Sequence, residues 1–372
     1  MLPNTPLALV EKSLAGIPLS DAEALAVLTH DGWDLMDILY AAYQVRKAAW
    51  GKQVSIHIIN NAQNGYCPED CKYCVQAKTS KADIESYTMK EESEIMAEAK
   101  SAYESGAHRY CMVFSGRGPS KKRVETLAGY IQKIKAQYPI ELCVSSGLLD
   151  AEGAKALKAA GLDRLNHNLN TSEEHYKNIC STHTYQDRLN TLQAGKAAGL
   201  GLCSGMILGM GESISDIVEV ARSLAAVEAV SIPINFLIPI EGAVLKSEQV
   251  LTPEHCLRVL CLFRFLNPKA EIRAAAGREL HLRQLQVLAL YPANSLFMQG
   301  YLNTQGDSAF QTLQMIQDGG FEIRSDQQLD RLVEKFRQVS SETDKVAPSR
   351  ADQVVLKQLD QLRPARQPLG VE

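Results

Sequence analysis

Three cysteines within one short stretch carry the strongest chemical signal in the sequence. Cys67, Cys71 and Cys74 are separated by three and then two residues. Thiolates are soft ligands, so this spacing favours zinc or an iron–sulfur cluster. A structural zinc ion needs a fourth ligand, and no Cys or His follows closely after Cys74. Three ligands on a four-iron cube leave one iron open for substrate chemistry, which is the interpretation that we favour over three unrelated buried thiols.

Composition and charge limit the class of protein. The chain has 372 residues, 45% of them hydrophobic, and a formal net charge of -4, so no broad positive field favours nucleic acid or anionic lipid. No apolar run approaches the roughly 20 residues that cross a bilayer, and the first residues lack the cationic start of a secretion signal. We therefore expect a cytoplasmic protein without a nucleic-acid or membrane partner. Nine cysteines in a reducing compartment argue for metal chemistry rather than disulfides.

Short apolar or β-branched runs alternate with amphipathic stretches through most of the chain. The runs predict strands at 54–59, 109–114, 140–145, 162–168, 201–207, 230–235, 271–275 and 294–298. The stretches predict helices at 94–104, 121–137, 151–160, 185–198, 214–227, 253–266 and 278–290. Eight strand-then-helix units with short connections require parallel strands. The α/β class follows, with a closed (β/α)8 TIM-type barrel favoured over a doubly wound open sheet.

The segments that flank the predicted barrel differ from it in composition. Residues 1–50 predict one or two helices that pack against the barrel, which we assign to 51–325. Residues 326–372 turn polar and predict a poorly ordered C-terminal tail with one short amphipathic piece near 354–362.

Three further cysteines fall in predicted strands. Cys111, Cys143 and Cys203 lie in the second, third and fifth strands, where the alternation of side chains can point them into a barrel. Each alone would be a small core hydrophobe, but three at similar depth could form a second site. Core packing is the expected role of the cysteines in helical or loop stretches: Cys180, Cys256 and Cys261.

The first cysteine motif, with the aromatic Tyr73 before its last cysteine, resembles the signature of the radical S-adenosylmethionine (SAM) enzymes. The chain from about 45 to 320 resembles the biotin synthase family more specifically. The motifs that carry this resemblance are Arg-Tyr-Cys-Met at 109–112, Leu-Asn-His-Asn at 165–168, Cys-Ser-Gly at 203–205 and Ala-Gly-Arg-Glu at 276–279.

The resemblance implies two clusters and SAM. A [4Fe-4S] cluster would be held by the three cysteines of the first motif, and its open iron would chelate the methionine part of SAM. A [2Fe-2S] cluster would be held by three cysteines and one arginine, at Cys111, Cys143, Cys203 and Arg273. An arginine is an unusual ligand, because guanidinium normally offers only donors. Without the resemblance, Arg273 would be interpreted as a carboxylate or phosphate partner.

The reaction implied by the resemblance is sulfur insertion. A 5'-deoxyadenosyl radical removes hydrogen from two saturated carbons of dethiobiotin, and a sulfide of the second cluster closes the biotin ring. A flavodoxin- or ferredoxin-type electron donor and a homodimer are also implied. The nearest alternative is a radical SAM mutase or lyase without a sulfur-donating cluster, and the most distant is a non-enzymatic zinc or iron–sulfur protein.

Polar residues near the predicted strand ends match ligand contacts of the family. The implied SAM contacts are Tyr73, Asn168, Asn170, Arg188, Gly205 and Ile207. The implied dethiobiotin contacts are Asn168 and Asn235 at the ureido ring, and Arg109, Asn303 and Thr304 near the carboxylate. Two positions depart from the family pattern. Asn170 replaces a usual aspartate, and Asn303 replaces the first of two usual threonines.

Overall fold

The computed structural model describes residues 2–246, 251–343 and 354–366. Its strands are β1 (Gln53–Gln63), β2 (Arg109–Phe114), β3 (Glu141–Ser145), β4 (Arg164–Asn166), β5 (Gly201–Cys203), β6 (Met206–Leu208), β7 (Ser231–Phe236), β8 (Glu271–Ala274), β9 (Ser295–Phe297) and β10 (Glu322–Ile323). The pairings between them are parallel, and β9 pairs with β1. This last pairing closes the sheet into a barrel and excludes the open doubly wound alternative.

The closed barrel has eight strand positions, as predicted. β5 and β6 together fill the fifth position, and β10 lies outside the ring, paired with β1. The predicted continuous strand over 201–207 is therefore wrong in one detail. Ser204 and Gly205 interrupt the strand, since the Ser204 hydroxyl accepts a hydrogen bond from the Leu169 amide at 3.1 Å. A Cβ on Gly205 would lie 1.8 Å from the Pro233 carbonyl oxygen, so only glycine allows this close approach.

Helices cover the outside of the barrel and both of its flanks. Those that precede or alternate with the strands are α1 (Ala8–Ala15), α2 (Asp21–Thr29), α3 (Leu35–Trp50), α4 (Glu92–Glu104), α5 (Lys121–Gln137), α6 (Ala151–Ala159), α7 (Glu173–Tyr176), α8 (Tyr185–Ala197), α9 (Ile214–Ala226), α10 (Pro253–Leu266) and α11 (Arg278–Leu282). A 3₁₀-helix (Arg283–Leu290), α12 (Ala309–Asp318), α13 (Leu329–Thr343) and α14 (Leu359–Leu362) follow. The N-terminal segment thus holds three helices rather than one or two, and the predicted helix over 278–290 divides at Arg283, which has a positive φ.

Alternation along the strands separates an apolar outer face from a polar interior. In β7, Ile232, Ile234 and Phe236 belong to the core beneath the helices. Ser231 and Asn235 alternate with them and point inward, where Ser231 bonds to charged side chains and Asn235 lines a cavity. The barrel interior is therefore available for polar and sulfur chemistry, while the apolar core lies between strands and helices.

The predicted tail is described only in part. Residues 344–353 and 367–372 lie outside the described residues. Residues 354–366 pack on the barrel, where Leu356 bridges to Thr304 and Leu362 is buried. Among the described residues, no helix combines the length and apolar character that a bilayer crossing requires.

Candidate active site

The first cysteine motif lies at the carboxyl end of β1, in the loop that crosses the mouth of the barrel. Cys67, Cys71 and Cys74 all line one cavity of about 290 Å³. Burial raises the pKa of the Cys67 thiol, and it raises the pKa of Cys74 to about 11. These thiols are therefore neutral near pH 7 in the metal-free chain, and each must release a proton when it binds iron.

Two carboxylates tie this loop to the segment before α8. Asp70 accepts hydrogen bonds from the Ser181 amide at 3.0 Å and from the Thr182 hydroxyl at 3.0 Å. Glu69 accepts from the Thr182 hydroxyl at 2.6 Å and from His183 Nδ1 at 2.5 Å. Burial acts to raise the pKa of Asp70, but the bonds from Ser181 outweigh it and hold the pKa below its ordinary value.

Replacing Asp70 with alanine is expected to lower the free energy of unfolding, because the loop of the first cysteine motif loses its bonds to the segment before α8. The change removes bonds to an ionised carboxylate at a partly exposed position, which corresponds to about 1–2 kcal/mol of unfolding free energy. Because the pKa is lower in the folded chain, this stabilisation is present at neutral pH and is lost as the pH falls through the lowered pKa. Urea unfolding measures it, with the exposed Glu174→Ala as control. Equal stability of the two variants at pH 7 would contradict this role.

Cys180, which the sequence predicted to be a core-packing residue, lies beside the first cysteine motif. Its sulfur lies 3.7 Å from that of Cys71, and the two cysteines form a close group with His183. Both ring nitrogens of His183 are already engaged, one with Glu69 and the other at 3.0 Å from the Arg188 guanidinium. A cation between these residues would lie against that guanidinium, so we do not interpret the group as a separate metal site.

Three of the predicted SAM residues form one hydrogen-bonded group beside Cys74. The Tyr73 hydroxyl accepts from Asn170 Nδ2 at 2.6 Å and from Arg188 Nη2 at 3.1 Å. Arg188 also donates to the Asn168 carbonyl at 2.7 Å. Asn168 and Ile207 line the same cavity as this group. Five of the six predicted residues therefore meet at one wall.

Gly205 is the exception among these residues, because it is not among those that line the cavity. Its carbonyl accepts from the Asn170 amide at 2.9 Å, and the Asn170 carbonyl accepts from the Ile207 amide at 2.9 Å. Asn170 adopts a left-handed conformation, with φ of 71°, which asparagine tolerates better than most residues. Gly205 therefore lies behind the cavity lining, where its backbone holds that of Asn170.

The second set of cysteines converges inside the barrel, below the first. Cys111 and Cys143 are register partners on β2 and β3, and Cys203 lines the same small cavity. Arg273 on β8 reaches the same point, with Nη1 3.9 Å from Cys203 Sγ. All four line a small cavity of about 30 Å³. Within the described residues, Arg273 Nε is buried without a hydrogen-bond partner.

This donor set fits a two-iron cluster with one nitrogen ligand. Three soft sulfurs are suited to iron. Arg273 Nε has no acceptor among the described residues, so no protein group competes for it, but it would have to lose its proton to bind iron. Burial opposes the charged form of Arg273, but Cys203 and Glu271 outweigh it and raise its pKa.

A buried ion network lies beneath this site, and it corrects one prediction. Arg109 donates to Glu141 at 2.7 Å and to Glu271 at 3.0 Å, and it is not among the residues that line either cavity. Each of the three residues is the first of its strand: Arg109 in β2, Glu141 in β3 and Glu271 in β8. The cavity lined by the first cysteine motif, called the large cavity from here on, lies at the opposite, carboxyl ends of the strands. The structure therefore does not support the placement of Arg109 near a substrate carboxylate. Glu271, which also bonds to Arg273 at 2.7 Å, was not identified from the sequence.

The large and small cavities share a wall. Six residues line both: Val113, Ser145, Asn166, Asn168, Asn235 and Tyr301. The amide of Asn235 is fixed, because its oxygen accepts from the Ala276 amide at 3.3 Å and its nitrogen donates to the Met206 carbonyl at 3.1 Å. A molecule held at this wall would lie between the two sets of cysteines. Two of the six, Asn168 and Asn235, were predicted contacts, and the other four were not identified from the sequence.

Asn303 and Thr304 line the large cavity on the side of the loop after β9. Asn303 forms a reciprocal amide pair with Asn64, with nitrogen–oxygen distances of 2.5 and 3.2 Å. The Thr304 hydroxyl donates to the Tyr301 carbonyl at 2.8 Å. The structure thus brings together the predicted substrate residues other than Arg109.

Family models match two consecutive parts of the chain. Residues 64–224 match the model described as the Radical SAM superfamily, and residues 233–322 match the Biotin and Thiamin Synthesis associated domain. Solved structures with the same fold include methylornithine synthase, with a TM-score of 0.73, 19% identity and coverage of 89% of this chain and 99% of that one. The FeFe-hydrogenase maturase HydG from Carboxydothermus hydrogenoformans has a TM-score of 0.73 at 18% identity, with coverage of 88% and 81%.

Curated relatives are much more similar in sequence. A protein of Magnetococcus marinus named biotin synthase is 54% identical over 84% of this chain and 98% of its own length. Relatives with the same name from Acaryochloris marina and Bacillus subtilis are 56% and 45% identical, over 83% and 87% of this chain and 89% and 96% of their own lengths. From the barrel with its two sets of cysteines and these identities together, we conclude that the chain belongs to the biotin synthase family of radical SAM enzymes.

Proposed function

We propose that Cys67, Cys71 and Cys74 hold a [4Fe-4S] cluster, with SAM on the open iron. The three thiols line one cavity at the carboxyl ends of the strands, which is where barrel enzymes place their reactions. Asp70 and Glu69 hold this loop through their hydrogen bonds to the segment before α8.

The SAM site that we propose is the wall formed by Tyr73, Asn168, Asn170, Arg188 and Ile207, with Gly205 allowing the backbone to approach. Arg188 is the cation of this wall and suits the methionyl carboxylate. Asn170 offers one acceptor oxygen to the ribose hydroxyls, whereas an aspartate would offer two. Its nitrogen already donates to Tyr73, which leaves that oxygen available.

The second cluster in our proposal is a [2Fe-2S] cluster on Cys111, Cys143, Cys203 and Arg273. Glu271 and Ser231 accept from Arg273 Nη2 at 2.7 and 2.8 Å, which fixes the guanidinium while Nε stays free. The Phe297 ring lies 4.9 Å from the guanidinium carbon and limits access of water from that side.

Dethiobiotin is the substrate of the family, and we propose that it lies at the shared wall of the two cavities. Asn168 and Asn235 offer amide groups to the neutral ureido ring, and each amide retains capacity beyond its protein contacts. Asn303 and Thr304 lie near the carboxylate in this arrangement. The observation that carries the proposal is that this wall separates the two sets of cysteines.

The chain inserts sulfur into dethiobiotin to form biotin, as a member of its family. When bound, SAM and the clusters supply a 5'-deoxyadenosyl radical and a sulfide, which protein side chains cannot supply. The contribution of this chain is to hold the substrate between the two sites and to exclude water from them.

Further parts of the proposal rest on the family alone. They are a flavodoxin- or ferredoxin-type electron donor, a homodimer and a cytoplasmic location. The alternative function, a radical SAM mutase or lyase without a second cluster, would leave three inward cysteines and a partly unsatisfied arginine without a role.

Anaerobic reconstitution of the full chain tests the proposal. With SAM, dithionite and dethiobiotin, we expect both 5'-deoxyadenosine and biotin by mass spectrometry, and about six irons and six sulfides per chain. About four irons with 5'-deoxyadenosine but no biotin would support the mutase or lyase instead. No 5'-deoxyadenosine would leave a metal-binding protein without this chemistry.

A further inference from the structure

The C-terminal segment 354–366 lies directly on the loop that carries Asn303 and Thr304. The Lys357 amide donates to the Asn303 carbonyl at 2.8 Å, and the Gln305 amide donates to the Val355 carbonyl at 2.9 Å. Thr304 is bridged to a residue of the same segment in antiparallel fashion. The segment is therefore paired with the loop through its backbone, and none of its described residues lines the cavity that Asn303 and Thr304 line.

Arg363 anchors this segment to α4 through Glu94. Arg363 forms a two-point ion pair with Glu94 of α4, with distances of 2.9 and 2.5 Å, and both side chains are largely buried. Its guanidinium also lies 5.3 Å from the centre of the Tyr87 ring. Paired geometry of this kind is stronger and more specific than a single surface contact.

Arg363 is also connected to Asn303 through Tyr87 and Asn64. The Tyr87 backbone pairs with that of Asn64 in both directions, at 3.0 and 3.2 Å. Asn64 in turn forms the amide pair with Asn303. Arg363 thus supports Asn303 through its side-chain partner, while the segment supports it through its backbone.

The loop itself has features that call for such support. Gln299 and Leu302 have φ of 68° and 46°, a conformation that these residues rarely adopt and that surrounding structure must maintain. Without the segment, the Asn303 carbonyl would lose its described backbone donor. Fixing the loop beforehand reduces the entropy that substrate binding must remove.

We propose that the segment 354–366, anchored by Arg363, positions Asn303 and Thr304 to receive the substrate carboxylate. Arg363 is then a positioning residue that affects specificity for the acid end of the substrate. This inference rests on the proposed function, because it takes Asn303 and Thr304 as the carboxylate contacts.

Arg363→Ala tests the inference in the full chain. We expect the dethiobiotin concentration for half-maximal biotin formation to rise about ten-fold, the scale of one lost charge-assisted contact, with little change in the rate at saturation. The same variant is expected to leave half-saturation nearly unchanged for dethiobiotinol, which carries an alcohol in place of the carboxylate. The control is Arg366→Ala, at an exposed position of the same segment.

Two further variants separate positioning from folding. Exchanging the charges, as Arg363→Glu with Glu94→Arg, is expected to recover most of the affinity for dethiobiotin. Limited proteolysis is expected to cut within 354–366 faster in Arg363→Ala, and dethiobiotin with SAM is expected to slow the cut in the parent chain. An equal effect of Arg363→Ala on both substrates, or no effect on either, overturns the inference.

Asn303→Ala distinguishes this failure from failure of the proposed function. If Asn303→Ala raises the dethiobiotin concentration for half-maximal biotin formation and Arg363→Ala does not, only the positioning role of the segment is wrong. If Asn303→Ala also has no effect, the carboxylate site itself is misassigned. Absence of biotin with the parent chain would overturn the function as a whole.

Discussion

Cys203→Ala is expected to abolish biotin formation while 5'-deoxyadenosine is still produced from SAM. The change removes one of three sulfurs around the small cavity but leaves the first cysteine motif and its loop untouched. Cys203 Sγ lies 3.9 Å from Arg273 Nη1 and accepts from Asn166 Nδ2 at 3.2 Å, so its loss removes a contact of the proposed fourth ligand as well as one sulfur. Loss of a metal ligand is among the few changes with effects this large.

Iron and sulfide analysis after anaerobic reconstitution measures this effect beside product formation. We expect about four irons per chain in Cys203→Ala against about six in the parent. The buried Cys261→Ala is the matched control, because that residue lies in the helix-packed core. Biotin formation by Cys203→Ala at the parental rate would remove this cysteine from the donor site.

Removing the charge of Glu271 is expected to have the largest effect on stability. Glu271 bonds to Arg109 at 3.0 Å, to Arg273 at 2.7 Å and to His57 at 3.0 Å, and all four side chains are buried. Burial acts to raise the pKa of Glu271, but Arg109 and His57 outweigh it and hold the pKa well below its ordinary value. Glu271→Gln leaves two buried guanidinium groups short of negative charge, which corresponds to a loss of about 3–5 kcal/mol.

Urea unfolding of the metal-free chain tests this expectation without dependence on activity. The matched variant is Glu141→Gln, which also removes a partner of Arg109 but from a carboxylate whose side chain is 25% exposed. We expect a clearly smaller loss there, because water can compensate the remaining charge. Equal losses in the two variants would show that burial of the network is not the cause.

Much of the fold was predictable because its signals are local. Strand alternation and helix periodicity repeat along the chain, and parallel strands with short crossovers allow few arrangements. The division of the fifth barrel strand into β5 and β6 was not predictable. It depends on Pro233 of the neighbouring strand β7, which approaches Gly205. The first cysteine motif could be identified because its three members lie within eight residues of one another.

Contacts between distant residues account for the rest of the site. Cys180 lies beside Cys71, although more than a hundred residues separate them. Glu271 and Arg273 alternate on one strand, and two charged residues facing inward were a signal of a buried network that sequence analysis could have used. Their partner Arg109 starts a different strand, and the predicted strand 109–114 already placed it at the amino end, away from a site at the carboxyl ends. Its contact with Glu271 across the barrel depends on the tertiary structure.

The amino-acid sequence by itself predicted the barrel and the first cysteine motif, because periodicity and spacing do not depend on three-dimensional contacts. Its resemblance to a family predicted the ligands that we propose for the second cluster. Only the tertiary structure decided which polar residues face the cavity, that Arg109 supports the second site from below, and that 354–366 returns to the substrate loop. The physical reason is that a side chain's partners across a closed barrel depend on strand register and loop path, which residues near it in the chain do not encode.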